Sequence, residues 1–424
     1  MDTDLPLTAA TAGGNQTARA DSSPITPDAG AARRVQAAIC LSAFLAALNF
    51  FAPTPFYPEM ARDLRTTVPL LGQVVTLMAL LSSGLGLVIG PLTDRYGYRR
   101  PLVAGLLAIA IGLAGTGLAP AYPLLLGLGV IGGFGDALAF ALPFAIATTV
   151  FTGDARRRAI GWTIAALSAP PIVGVPVLTA IGGVFGWRVA LVAAGVAATA
   201  VALFVAFALP ADHRRPTTPL RSREILTAYA PLLHHPPTLR LLAVSALRGI
   251  WWVGLLTYLG AFLATQVGLS PQQVGLAYAL AGTGYALGSI AAGGRLGAYA
   301  PRATVAISSL TAGTLVVPML LTATAGIVFP VLPMLGLAGA VCSVGVVSLL
   351  AAESPVGAGA TMVMNGALLN VGTAGGAIFC GMLIALGGYP ALAIGLPGFA
   401  AAAAILAWWP SRRELAPGHP SRVS

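Results

Sequence analysis

The feature that most constrains this chain is a succession of continuous apolar runs about 20 residues long, separated by short polar turns. A run of that length crosses the hydrocarbon core of a bilayer as a helix, whereas a membrane strand needs only about ten residues and alternates in polarity. No alternation is present, so the reading is helical. Only 8% of the 424 residues are charged and the mean hydropathy is +0.86. A surface so poor in charge cannot be clothed in water, and in hydrocarbon the helix satisfies its own backbone.

Hydropathy predicts about twelve spans, with centres running from Ala46 to Ala198 in the first half and from Trp252 to Ala400 in the second. The net charge of +10 comes entirely from arginine, since the chain has no lysine. Arg33, Arg34, Arg95, Arg99, Arg100, Arg156 to Arg158, Arg214, Arg215, Arg221, Arg223, Arg295, Arg302, Arg412 and Arg413 fall on one side of the bilayer. The opposite loops carry only Arg62, Arg65 and Arg188. The positive-inside rule then makes both termini cytosolic in a multi-pass protein of a cell inner (plasma) membrane, with an Arg-, Ala- and Gly-rich composition that suggests a bacterial source. The basic balance belongs to that topology and predicts no nucleic-acid partner. Cys40, Cys342 and Cys380 lie inside apolar runs and read as free thiols.

The expected organisation is a disordered cytosolic tail over 1–34, a six-helix bundle over 35–210 and a cytosolic linker over 211–238. A second six-helix bundle over 239–410 and a C-terminal tail over 411–424 complete it. A duplication supports the division: Gly72 and Gly275, and Gly90 and Gly293, are each 203 residues apart, and the same offset sets Asn49 against Trp252.

Two segments carry a family resemblance. Gly90-Pro91-Leu92-Thr93-Asp94-Arg95-Tyr96-Gly97-Tyr98-Arg99-Arg100 resembles the loop motif of the major facilitator superfamily, with Gly90, Asp94, Arg95, Gly97, Arg99 and Arg100 at its cytosolic gate positions. Gly174-Val175-Pro176, followed by Gly182, Gly183 and Gly186-Trp187-Arg188, is similar to the fifth-helix pattern of the drug:proton antiporter branch, with Val175 inserted between the usual Gly and Pro. The resemblance covers about Val35 to Pro410. It implies the major facilitator fold: an all-α integral membrane protein whose twelve transmembrane helices form two pseudo-symmetric six-helix bundles. It also implies secondary transport of a small molecule by a monomer, without cofactor and with the proton gradient as energy source. Export is the leading direction, and uptake or uniport of a metabolite is the alternative. This chain departs from the branch in two places: the fourth span has no arginine before its Gly-rich stretch, and the first has Asn49 where related exporters often have an acid. An enzyme is not expected, because all four histidines lie in loops or tails and one deep acid is not a catalytic pair.

Charges inside spans are costly and therefore candidates for function. Asp136 in the fourth span and Arg248 in the seventh are the two clear ones, about 21 Å and 15 Å from the cytosolic face at about 1.5 Å per residue. In the superfamily fold, spans one, four, seven and ten line the central cavity. The expectation is that Asp136 and Arg248 face one another across the halves, directly or through water, and couple protons to transport. The alternatives are an interdomain salt bridge that fixes packing, and direct binding of an anionic substrate by Arg248. Asn49, Phe140, Trp251, Trp252 and Tyr258 are the candidate cavity residues. Aromatics in such a cavity suit amphipathic or cationic organic substrates. Asn365 and Asn370 read as interhelical hydrogen-bonders.

Overall fold

The computed structural model describes residues 29–210, 229–294 and 300–408. The two tails and the greater part of the expected linker lie outside the described residues.

Eleven helices among the described residues are long and apolar enough to cross a membrane. A twelfth span is assembled from two shorter helices, Gly153–Ser168 and Pro170–Phe185, which meet at a 41° bend. The bend has a chemical cause. Pro170 and Pro171 bring no backbone N–H, and the chain passes through a π-turn at Pro170–Gly174 before Val175–Phe185 resumes as α-helix. Counted in chain order, the first span is Gly30–Asp63, the second begins Val68–Ile89, the third is Arg99–Leu118 and the fourth Tyr122–Val150. The bent pair is the fifth and Trp187–Ala208 the sixth. Pro236–Thr265, Pro271–Gly293, Pro301–Thr322, Ala325–Glu353, Gly359–Gly387 and Tyr389–Trp408 are the seventh to twelfth.

Packing repeats between the halves. The third span lies on the sixth as the ninth lies on the twelfth, and the second lies on the fourth as the eighth lies on the tenth. The duplicated register is visible at single residues. Gly133 of the fourth span admits Met78 of the second, so that a Cβ there would stand 2.7 Å from the Met78 Cα. The positions 203 further on, Gly336 and Ala281, meet in the same way, the missing Cβ of Gly336 being replaced by the Ala281 carbonyl. Without a hydrophobic drive between helices in lipid, close contact at small residues is what holds spans together, which is why these glycines keep register.

Between the halves, the second span packs on the eleventh and the fifth on the eighth. These contacts concentrate at the end away from the termini. There the Thr54 and Tyr278 hydroxyls lie 3.0 Å apart, and the Tyr258 hydroxyl reaches the Pro69 carbonyl at 3.3 Å. Gly260 admits the backbone of Pro55, and Gly275 admits Thr179 and Pro176. Nearer the middle, Ser83 donates to the Ala367 carbonyl at 3.0 Å and Asn370 to the Ser82 hydroxyl at 3.4 Å. A sealed seam therefore closes the far end.

Candidate functional site

The fourth span is built to be approached closely. Gly132, Gly133 and Gly135 precede Asp136, and each faces a different neighbour. Gly133 faces the second span. Gly135 meets the Gly105 carbonyl of the third, at 2.5 Å from where a Cβ would stand. Gly132 leaves room for the Asn49 amide, 3.3 Å from its missing Cβ. Asn49 is thereby brought onto Asp136, and its Nδ2 donates to Asp136 Oδ1 at 2.9 Å. Both side chains are buried, at 4% and 9% exposure. Among the described residues the Asp136 carboxylate has no other hydrogen-bond partner and no cation paired with it.

Arg248 closes the helix Pro236–Arg248 and is followed at once by a π-turn, Gly249–Val253. It is 6% exposed, and none of its nitrogens has a hydrogen-bond or ion-pair partner among the described residues. A direct Asp136–Arg248 pair, one form of the sequence expectation, is therefore not made in this structure. The acid is bonded instead to Asn49 within its own half.

The aromatic candidates separate. Trp252 stacks on Tyr285 of the eighth span at 6.0 Å and 16°, and its ring stands over Gly339, 3.2 Å from where a Cβ would be. Gly339 lies 203 residues after Asp136, and Trp252 lies 203 after Asn49. One geometric contact thus holds an amide on an acid in one half and an indole on a glycine in the other. Trp251 is buried, packs edge-on against Trp252 at 6.0 Å and leaves its Nε1 without a partner. Phe140, one turn beyond Asp136, is 48% exposed. Tyr258 was expected in the cavity but belongs to the seam. Its hydroxyl donates to the Ala377 carbonyl at 2.7 Å and fills the space left by Gly72 and Gly381.

In the gate motif, the side chains of Gly90, Asp94 and Arg95 lie outside the described residues. Gly97 has φ +76°, a left-handed turn conformation that glycine adopts without strain, and Arg99 and Arg100 open the third span. The fifth-helix motif is interfacial: Gly174 faces Leu48 and Phe44 of the first span, Gly182 receives the Phe56 ring, Gly183 receives the Gln272 amide and Pro176 meets Gly275. A small cavity of about 30 Å³ lies inside the first half beside Asn49, with Tyr57, Met78, Thr116 and Gly132 among its walls. The Tyr57 hydroxyl is buried and unpartnered. Sequence reasoning missed Thr54, Tyr278 and Tyr285. The last two are a same-face aromatic pair seven residues apart on the eighth span, and that spacing is a signal that could have found them. Among the described residues no group of three His, Cys, Asp or Glu side chains could hold a metal ion.

Residues 39–266, more than half of the chain, match the family profile of the Major Facilitator Superfamily. The chain belongs to this superfamily. The family and the fold are those of membrane transporters. Among curated relatives, Chloramphenicol efflux pump MT0201 of Mycobacterium tuberculosis (strain CDC 1551 / Oshkosh) is 28% identical over 251 residues, 58% of this chain and 59% of the relative. Chloramphenicol efflux pump Rv0191 of M. tuberculosis (strain ATCC 25618 / H37Rv) is 28% identical over 41% of this chain and 42% of its own length. The MFS-type transporter YceJ of Bacillus subtilis (strain 168) is 23% identical over 58% and 63%. The chain thus spans less than two thirds of the length of each of these relatives. The resemblance to the drug-efflux branch rests on the two pumps. Two solved transporters share the fold. A bacterial homologue of the human lysosomal transporter Spinster, in an inward-facing, unoccupied conformation, has TM-score 0.69 and 18% identity over 90% of this chain and 95% of its own. The nucleoside transporter NupG has TM-score 0.72 and 13% identity over 88% and 98%.

Proposed function

We propose that this superfamily member is a proton-coupled exporter of a small organic compound, working by alternating access as a monomer in a bacterial inner membrane. The termini are taken as cytosolic from the arginine bias, which makes the sealed seam the extracytoplasmic gate and the conformation inward-facing. The observation that carries the reading is the buried Asn49–Asp136 pair. An acid removed from water must be neutralised by a counter-ion or by a proton, and here no counter-ion is bonded to it. A neutral amide suits a group that changes state: it donates through Nδ2 to a carboxylate and, turned over, accepts through Oδ1 from a carboxylic acid. The pair also sits where the first and fourth spans meet, beside the fifth-span glycines that contact the first and eighth spans, so a change of charge reaches elements that contact the other half. The similarity to two chloramphenicol efflux pumps supports export, and chloramphenicol is the first compound to test.

The test uses inverted membrane vesicles energised by a proton gradient. Asp136→Asn is expected to abolish gradient-driven accumulation of chloramphenicol while exchange of labelled for unlabelled compound, which needs no net proton movement, continues. Gradient-driven transport at the wild-type rate in this variant would remove Asp136 from the coupling step.

A further inference from the structure

Among the described residues, Arg248 is a buried cation with no counter-charge bonded to it. It is 94% removed from solvent. A guanidinium offers five N–H donors and accepts nothing, and none of these donors is satisfied by any described residue. Its Nε is sealed. Its two terminal nitrogens keep some exposure and have no hydrogen-bond partner among the described residues. The neighbouring polar groups are neutral and occupied with one another. Ser309 lies 3.3 Å from the Cys342 sulfur, Ser308 donates to the Val305 carbonyl, and Ser245 donates to Asn365 Oδ1 at 2.5 Å.

The duplication shows that the scaffold does not need this charge. The position 203 residues earlier is Leu45, buried and apolar in the same place of the first half. One turn from Arg248, the Trp252–Tyr285 stack offers a flat aromatic wall, and the Trp251 indole N–H beside it is a second buried donor without an acceptor. Unpaired donors in a low-dielectric interior cost free energy that an incoming acceptor recovers. The π-turn directly after Arg248 adds a residue to the helical repeat and re-aims the side chains beyond it, a distortion often found at functional sites.

We propose that Arg248 is the docking group for substrate and that it takes an aromatic compound bearing a carboxylate, or a comparable group with two terminal oxygens such as nitro. The terminal nitrogens bind the two oxygens side by side and the ring lies against Trp252 and Tyr285. Cationic amines are selected against at this station, because the nearest fixed charge is positive. The inference rests on the chain being a transporter, and it holds whether or not Asp136 couples protons.

The test is calorimetric binding to full-length, detergent-solubilised protein of three probes on one ring: 2-naphthoate, its methyl ester and 2-naphthylmethylamine. The wild type is expected to bind the acid about tenfold to a hundredfold more tightly than the ester, the range of a charge-assisted hydrogen bond, and the amine most weakly. Arg248→Gln should erase the preference for the acid while leaving ester binding in place, and Arg248→Lys should restore part of it. Asp136→Asn should leave the preference intact, which separates this proposal from the coupling one. Should Arg248→Gln not yield folded protein, the wild-type ranking and the lysine variant decide. No binding of the acid, equal affinity for acid and ester, or a preference that survives Arg248→Gln would each overturn the proposal.

Discussion

The sealed seam can be tested at one residue, because Gly72 has no space for a side chain. A Cβ built there would overlap the Tyr258 hydroxyl, and that hydroxyl is pinned by its 2.7 Å bond to the Ala377 carbonyl of the eleventh span. Gly381 presses on the same hydroxyl from the other side, 2.6 Å from its own missing Cβ. Tyr258 therefore cannot step aside without breaking its bond or meeting the eleventh span. Gly72→Ala inserts one methyl group into this three-helix contact. Overpacking a well-filled site costs about 1–3 kcal/mol. On the proposed topology this contact belongs to the closed extracytoplasmic gate, so the cost is expected to fall on the inward-facing state. A shift of about 1–3 kcal/mol changes the ratio of states by about fivefold to 150-fold toward the outward-open one.

The shift can be read as the rate at which maleimide added from outside labels Thr179→Cys, a fully buried seam position against Gly275. The background would have Cys40, Cys342 and Cys380 replaced by serine. The rate should rise about fivefold or more with Gly72→Ala while the outward-open state remains the minor one. Tyr258→Leu, which shortens the side chain, should be measured alone and in combination, since only a double-mutant cycle isolates the pair. Expected is a smaller effect of Gly72→Ala in the Tyr258→Leu background. An unchanged labelling rate, or an equal increase in both backgrounds, would refute the claim that Tyr258 on Gly72 holds the gate.

The same geometry sets two further outcomes. Asn49→Leu removes the one hydrogen bond to Asp136 and should lose gradient-driven transport while retaining exchange; gradient-driven transport at the wild-type rate would detach the amide from coupling. Glu353→Gln at the C-terminal end of the tenth span breaks the pair in which Arg302 Nη2 meets both carboxylate oxygens at 2.7 Å, with the two side chains 13% and 22% exposed. Leaving a largely buried arginine without its acid should cost about 2 kcal/mol or more, seen as a lower melting temperature in detergent, and Arg302→Met with Glu353→Met should cost less than the single change.

The fold was legible because its determinants are one-dimensional. Span length, arginine bias and the 203-residue offset can all be counted, and the offset holds in space at Gly133 and Gly336 since helices that touch at backbone level leave glycine no substitute. The site was legible in identity but not in aim. Counting residues gives the depth of Asp136 and Arg248, whereas the direction each faces depends on helix azimuth. The π-turn Gly249–Val253 changes that azimuth by one residue, and sequence periodicity assumes it constant. Tyr258 illustrates the same limit. An aromatic at cavity-like spacing proved to be a seal, because the two glycines that receive it, Gly72 and Gly381, lie on other spans.

The two halves share a scaffold and differ in chemistry, and the difference is what a coupled carrier requires. Two halves with the same polar contact would bind proton and cargo by the same means, and each would compete with itself. Here the contact between the first and fourth spans is Asn49 on Asp136, while its counterpart between the seventh and tenth is Trp252 on Gly339. One turn earlier the assignment reverses, with Leu45 in the first half and Arg248 in the second. Among the described residues the acid thus has no cation bonded to it and the cation no acid. On the two proposals, a proton would neutralise the first and an anionic or oxygen-rich ligand the second, each relieving an unpaired charge on one side of the interface between the halves. If both charges are needed, exchanging Asp136→Asn for Arg248→Gln should not give the same defect: the first should lose the dependence on the gradient and the second the dependence on the cargo's acidic group.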